Sequence, residues 1–185
     1  MARMKHRESI RREAAALRVS ASRLDALADM LDGVVEPVTA ARDLVHRPGE
    51  FFTWDELSVT GTGIANTPTP SAAAALGDLC RVILDPLRRH IGKPIRITSA
   101  YRSPAVNAKV GSTSKSQHPK GQAADVMVVG MTSEQLAAEV VALRLPLDQG
   151  IVYAEKPHLH LSFKPNPRGQ WLRHDGAGYT PWSPS

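Results

Sequence analysis

Apolar residues recur every three or four positions between Ser71 and Gly92, which predicts a long amphipathic helix. Its buried face would carry Leu76, Leu79, Ile83 and Leu87. We expect Ser71 to cap the start of this helix, Pro86 to kink it and Gly92 to end it. A second helix is predicted from the capping-box pattern Thr132-Ser133-Glu134-Gln135, with Leu136, Val140 and Leu143 buried.

Four other stretches alternate or are continuously apolar over a few residues, which is typical of β-strands. They span residues 95–98, 126–129, 149–153 and 157–163. The strands are short, separated by irregular loops and mixed with helices. This pattern favours an α+β domain, in which a small antiparallel sheet is flanked by helices.

The two ends of the chain differ from this central domain, which we place at residues 49–165. Residues 1–48 predict a helical N-terminal extension. Its first helix is polar nearly all round, which favours an oligomerisation or attachment arm, although a helical cap on the main domain stays open. Residues 166–185 are rich in Pro and Gly, and they predict a tail that is either ordered by contacts or disordered with Trp171 and Trp182 as anchors.

Charge and cysteine content limit the kinds of partner and of covalent cross-link that we expect. The chain has a formal net charge of +5, which would suit an anionic partner such as a polymer. It has no Lys/Arg run and no basic–aromatic interleaving, so we expect no nucleic-acid partner. Cys80 is the only cysteine, which excludes an internal disulfide, and its apolar surroundings predict a buried free thiol.

The stretch from Ser116 to Asp125 offers the first candidate chemistry. His118 lies seven residues before Asp125, with Gly121 between them to supply an unusual backbone angle. Asp125 begins an apolar run, and a carboxylate there is costly unless a partner satisfies it. Imidazole and carboxylate together suit zinc. From the spacing alone, a loop His and a strand-end Asp facing solvent is an equally good interpretation.

The second candidate stretch is Pro157-His158-Leu159-His160-Leu161-Ser162-Phe163. Because side chains alternate along a strand, His158 and His160 would share one face and the leucines the other. Two imidazoles opposite an apolar face are a common way to present metal ligands, although a surface strand that happens to carry two histidines remains an alternative.

These stretches resemble the zinc D-Ala-D-Ala carboxypeptidases of peptidase family M15, and most closely the M15A type found in bacterial carboxypeptidases and phage lysis proteins. The resemblance rests on Ser116-x-His118-x-x-Gly121-x-Ala123-x-Asp125 followed by His158-x-His160. Three further stretches fall in the same order: residues 52–57, 63–68 and 97–104. The resemblance runs from about Phe51 to about Phe163 and implies the fold shared by D-Ala-D-Ala peptidases and the hedgehog signalling domain.

The resemblance also implies roles for individual residues. His118, Asp125 and His160 would bind one zinc ion per chain and leave one coordination position open, as in catalytic sites. Arg102 would contact the substrate, with a salt bridge to a nearby acid as the alternative, and Ser116 and Gln117 would line the substrate site.

The general base stays open. Several relatives have an acid three residues before the last ligand, where this chain has Pro157. His158 would then handle the proton, whereas Glu155 would be the base if His158 were the ligand. Glu155 and Asp148 are also candidates to orient a histidine.

Two classes of function follow. The first is a zinc peptidase that cleaves peptidoglycan stem peptides, either at D-Ala-D-Ala or at the L-Ala–D-Glu bond, in cell-wall lysis of phage origin. The second is a zinc-binding structural or wall-binding module without turnover, such as a part of a virion. We find no signal peptide and no transmembrane segment, so we expect synthesis in the cytoplasm and action at the wall after release, or carriage in a virion.

Overall fold

The computed structural model describes residues 47–183, so the predicted helices of the N-terminal extension lie outside the described residues. The helices are α1 (Trp54–Ser58), α2 (Pro70–Leu79), α3 (Asp85–Ile91), α4 (Pro104–Lys109) and α5 (Ser133–Ala142). The strands are β1 (Ile95–Ser99), β2 (Ala123–Val128), β3 (Gln149–Tyr153), β4 (Leu159–Ser162), β5 (Gln170–His174) and β6 (Tyr179–Pro181). The predicted α+β class is confirmed.

The long predicted helix is present but differs at its start and middle. Thr69, not Ser71, is the N-cap: its hydroxyl accepts a hydrogen bond from the Ala72 amide, and Pro70 occupies the first helical position, where its missing N–H costs nothing. A π-helical segment, Cys80–Leu84, joins α2 to α3 immediately before Pro86. The wider turn, rather than an end to the helix, accommodates the proline. Gly92 ends α3 in the left-handed conformation, as predicted.

The sheet has six strands in the order β1-β2-β4-β3-β5-β6. The first four are joined in antiparallel pairs, as predicted, and β5 and β6 also pair antiparallel. The pairing of β3 with β5 is parallel, so the sheet is mixed rather than purely antiparallel. The chain leaves β4, crosses past β3 and returns in the direction of β3, a connection that strand patterns alone do not reveal.

Residues after Lys164 are ordered by contacts with the sheet, which is one of the two alternatives that the sequence left open. The Trp171 ring lies so close to Gly150 that a Cβ there would be 2.2 Å from Cζ3 of the indole. Trp171 also packs against Trp182, with ring centroids 5.3 Å apart. Both indoles pack against the hydrophobic core, so the aromatic anchors attach β5 and β6 to the domain.

The two faces of the sheet differ in character. On one face, alternate residues such as Val126, Leu159 and Leu161 are fully buried in a core shared with α2, α3 and α5. Cys80 is buried in this core as a free thiol, as predicted. The other face carries the candidate site. Among the described residues, no helix has the length and apolar character needed to cross a membrane.

Candidate functional site

Strand register brings two of the three predicted ligands side by side. Asp125 on β2 lies directly opposite His160 on β4, so both side chains project from the same face of the sheet. Nδ1 of His160 is 2.9 Å from Oδ1 of Asp125. Asp125 lies inside β2 rather than at its mouth, because the strand begins at Ala123, three residues before the predicted start at residue 126.

His118 reaches the same carboxylate from a turn. Its Nε2 is 3.4 Å from Oδ1 of Asp125, while its Nδ1 is 2.6 Å from the carbonyl oxygen of Ala100. Since a carbonyl only accepts, Nδ1 carries the proton and Nε2 is left with its lone pair. The turn ends at Gly121 with φ of 70°, and a Cβ there would lie 2.1 Å from the Ala72 carbonyl oxygen. The predicted unusual backbone angle at Gly121 is confirmed.

The electrostatics of the cluster favour ligand-competent protonation states. Burial lowers the pKa of His118 and outweighs the opposing influence of Asp125, so the imidazole is neutral at pH 7. Burial alone would raise the pKa of Asp125, but the neighbouring imidazoles of His118 and His160 hold it well below its ordinary value. A neutral imidazole and an ionised carboxylate are the forms that bind divalent metals.

These residues fit a metal ion. One donor atom from each of His118, Asp125 and His160 lies within 4.8 Å of the others, and all three residues are buried. Among the described residues, this is the only group of three or more His, Cys, Asp or Glu side chains so arranged. Two imidazoles and one carboxylate form a donor set that zinc accepts, and three protein ligands leave a position for a substrate or water.

Arg102 is tied to this cluster. Its Nη2 donates to Oδ2 of Asp125 at 2.7 Å, and its Nε donates to the Ser99 hydroxyl at 2.8 Å. The salt bridge that the sequence left as an alternative is therefore present. Arg102 also lines the cleft above the cluster, so the predicted substrate contact stays a prediction.

His158 lies at the edge of the cluster, just before β4 begins. It lines the same cleft as His160, and its ring packs against Tyr153 with centroids 4.9 Å apart. Burial lowers its pKa, so it is neutral at pH 7 and able to accept a proton. Glu155 is exposed, and it is not among the described residues that line the cleft.

The remaining predicted residues form contacts within the protein. The Ser116 hydroxyl accepts a hydrogen bond from the His118 amide at 3.3 Å, and the Gln117 amide donates to Asp148 at 3.1 Å. Both also line the cleft, so their role in substrate binding stays a prediction. Asp148 is fully buried and pairs with Arg168 and Lys164. Its carboxylate therefore holds these cations rather than orienting a ligand histidine.

Three residues that support the site were not singled out as site residues from the sequence. Ser99 holds Arg102, and Tyr153 packs on His158. Asn66 donates to the Tyr101 carbonyl and accepts from the Ser103 amide, which fixes the loop that carries Arg102. The only sequence signal for Asn66 is its place in one of the stretches that carried the family resemblance. The signal for Tyr153 is its alternation with Ile151 in a predicted strand, which places both on one face.

Comparison with known proteins agrees with this geometry. A sequence profile described as Peptidase M15 matches residues 50–162, which is more than half of the chain. The chain belongs to the peptidase M15 family. All three candidate metal ligands, Arg102 and His158 fall inside the matched region. A search of curated proteins found no match. Strands β5 and β6 of this M15 peptidase lie beyond the matched residues.

Proposed function

We propose that this M15 peptidase is a zinc-dependent enzyme that cleaves the stem peptides of peptidoglycan, at D-Ala-D-Ala or at L-Ala–D-Glu, in cell-wall lysis. The observation that carries the proposal is the buried cluster of His118, Asp125 and His160 at the base of an open cleft of about 910 Å³. A cleft of this size can hold several residues of a peptide. Three protein ligands that open onto a cleft are typical of catalytic sites, whereas structural zinc sites are closed by a fourth protein ligand.

The cluster would hold zinc through Nε2 of His118, the Asp125 carboxylate and the His160 imidazole. When bound, zinc would polarise the scissile carbonyl and make water more acidic. Arg102 keeps the Asp125 carboxylate in place by a charge-assisted hydrogen bond of 2.7 Å. The Ala100 carbonyl fixes the tautomer and orientation of His118 in the same way.

His158 is the residue best placed to move a proton. It is neutral, it faces the cleft, and it comes two residues before a ligand on the same stretch of chain. In this role, it takes a proton from the attacking water and delivers a proton to the leaving amine. Glu155 is too exposed to serve as a tuned base. His158 is therefore our candidate for the general base.

The charge of the cleft supports an anionic substrate. Six cationic side chains line it: Arg102, Lys115, Lys120, Lys156, Lys164 and Arg168. Only two acids line it, Asp125 and Asp148, and each is paired with an arginine. The excess positive charge would attract the carboxylates of a stem peptide and speed its association.

The test is digestion of purified peptidoglycan by zinc-loaded protein, with mass spectrometry of the released fragments. We expect new termini at a single type of peptide bond, and none with His118→Ala. New peptides that begin with D-Glu would identify the endopeptidase, and loss of the terminal D-Ala would identify the carboxypeptidase. Zinc-loaded protein that binds peptidoglycan without producing new termini would instead support the non-catalytic binding module.

A further inference from the structure

We propose that β5 and β6, together with β3, form an extended subsite that binds the substrate peptide away from the scissile bond, with Tyr179 as a specificity-determining residue. The inference rests on the proposed function, because it concerns which part of a stem peptide the cleft holds. The residues come from strands that lie after the region matched by the family profile. Membership of the family therefore does not assign them.

The residues that lie beside the metal ligands continue in a row across neighbouring strands of the sheet. His160 lies opposite Asp125 on one side and opposite Ile151 on the other, and Ile151 lies opposite Leu172 on β5. Residues at matching register positions share a face, so the ligand row continues as an apolar floor. Ile151 and Leu172 both line the cleft. From β4 to β6 is three strand spacings, or about 14 Å at ~4.8 Å each.

A row of aromatic rings borders this floor. His158 packs on Tyr153, with ring centroids 4.9 Å apart, and Tyr153 packs on His174 at 5.7 Å. His174 in turn packs on Tyr179 at 4.7 Å. Tyr179 is at the far end of the row, lines the cleft and is 58% exposed, which is unusual for a large ring. Such an exposed ring at the end of a cleft offers apolar contact to a bound chain.

The opposite border of the floor is polar and cationic. The Gln149 amide donates to the Gln170 side-chain oxygen at 2.7 Å, and both residues line the cleft. Beyond them, the side chains of Lys164 and Arg168 are 35% and 48% exposed although they share Asp148. Their exposed N–H groups can donate charge-assisted hydrogen bonds to a carboxylate of a ligand.

The three rows together define the ligand. An apolar floor suits small alkyl side chains, the cationic border suits carboxylates, and the aromatic border supplies one wall. At about 3.3 Å per residue, 14 Å accommodates roughly four residues of an extended peptide. We infer a short acidic peptide rich in small side chains that runs from the metal cluster toward Tyr179.

The experiment measures kcat and KM on synthetic stem peptides of two to five residues, shortened from either end. For the wild-type protein, kcat/KM should rise with length in one direction of shortening. Tyr179→Ala should lower kcat/KM on the longest peptides about tenfold by raising KM, since one ring contact is lost. It should leave kcat/KM on the shortest cleaved peptide unchanged. Tyr179→Phe should behave like wild type. Val129→Ala, which changes an exposed apolar residue outside the cleft, is the matched control.

Equal loss at every length, or no loss at any length, would overturn the subsite while leaving the proposed function intact. If the wild-type protein cleaves no peptide, the proposed function fails instead. Fluorescence anisotropy of a labelled stem pentapeptide on the zinc-loaded protein then decides the subsite. Weaker binding by Tyr179→Ala than by Val129→Ala would support it, whereas equal binding or none would overturn it.

Discussion

His158 illustrates how one residue is set by its neighbours. The ring is held by Tyr153 on one side, and His160 follows two positions later in β4. We expect His158→Gln to keep one zinc per chain but to lower turnover by about 10²–10⁴, the range for lost acid–base catalysis. Elemental analysis and peptide hydrolysis measure the two quantities. Glu155→Gln is the control and should cost little, because the carboxylate is exposed.

The opposite assignment of the two histidines, with His158 as the metal ligand, predicts a different result. If His158→Gln lost the metal while His160→Ala retained it, His158 would be the ligand and Glu155 would become the base in a Glu-x-x-His arrangement. The 2.9 Å distance between Nδ1 of His160 and Oδ1 of Asp125 favours His160, rather than His158, as the ligand.

Arg102 acts on the ligand carboxylate as well as facing the cleft. We expect Arg102→Ala to weaken zinc binding by about 10–100-fold, since partners of ligands tune metal affinity by that amount. Arg102→Lys should recover only part of the affinity. The ammonium keeps the positive charge, but it cannot bond Ser99 and Asp125 in the same forked geometry. Competition with a zinc-sensitive dye measures the affinity.

Arg81→Ala is a matched control for Arg102, because Arg81 pairs with Asp78 on the exposed surface of α2 and the π-helical segment. It should leave zinc affinity unchanged. Unaltered zinc affinity in Arg102→Ala, with turnover reduced at least tenfold, would mean that Arg102 serves the substrate alone.

At the scale of elements, the His118 turn depends on close approach to α2. Gly121→Ala should destabilise the protein by about 1–3 kcal/mol more than Gly92→Ala, the range for overpacking. Both glycines have φ near 70°, but only Gly121 meets a backbone oxygen, that of Ala72. Denaturant unfolding measures the difference. Equal penalties would show that the turn can move away from the helix at no cost.

The start of β3 is held by the buried carboxylate of Asp148, which pairs with two partly exposed cations and makes stability depend on pH. Burial opposes ionisation of Asp148, but hydrogen bonds from Arg168 and Lys164 lower its pKa from 3.8 to about 2. A depressed folded-state pKa adds stability above pH 4, and the contribution is lost as pH falls from 4 to 2. Asp148→Asn should therefore cost about 2 kcal/mol at pH 7 and much less at pH 2.

Asp78→Asn is the control for this pH dependence, because its ion pair is exposed on the surface. Unfolding of both variants and the wild-type protein at the two pH values measures the effect. A penalty for Asp148→Asn that stays constant between pH 7 and pH 2 would show that the ionised carboxylate is not the source of stability.

Local signals account for the elements that the sequence predicted correctly. The capping box at Thr132 and the stop at Gly92 involve atoms a few residues apart, so the sequence contains the whole interaction. The cap at Thr69 rather than Ser71 shows the usual uncertainty at helix ends. The spacing of His118 and Asp125 alone left a solvent-facing pair equally possible, so the full ligand set rested on the family resemblance.

The contacts that the sequence did not reveal join distant parts of the chain. The Arg102–Asp125 pair, the parallel pairing of β3 with β5 and the packing of Trp171 on Gly150 each depend on the three-dimensional arrangement. Composition suggested a tail for residues 166–185, because Pro and Gly are frequent there. Two strands form nonetheless, since the indoles of Trp171 and Trp182 pack against the hydrophobic core.

At the scale of the whole molecule, one sheet serves two purposes. Its apolar face forms the core with the helices, and its other face presents the ligand cluster and the cleft. A bound metal would join β2, β4 and the His118 turn, so the site and the stability of the fold are coupled. The N-terminal extension, whose role as an attachment arm stays a prediction, lies outside the described residues.

The coupling between metal and fold gives a prediction for the whole molecule. Saturating zinc should raise the Tm of metal-free protein, because a ligand that binds only the folded state stabilises it in proportion to ln(1 + [Zn]/Kd). Differential scanning calorimetry measures the shift. His160→Ala should show little or none, and an equal shift in that variant would place the metal elsewhere.

The central claim is that His118, Asp125 and His160 hold one zinc ion that is required to cleave peptidoglycan stem peptides. Titration of zinc into metal-free protein, with stem-peptide hydrolysis as the readout, tests it most directly. We predict that hydrolysis rises linearly and reaches its plateau at one zinc per chain, while His160→Ala stays inactive throughout. Full hydrolysis by metal-free protein, or a plateau reached equally by His160→Ala, would contradict the account.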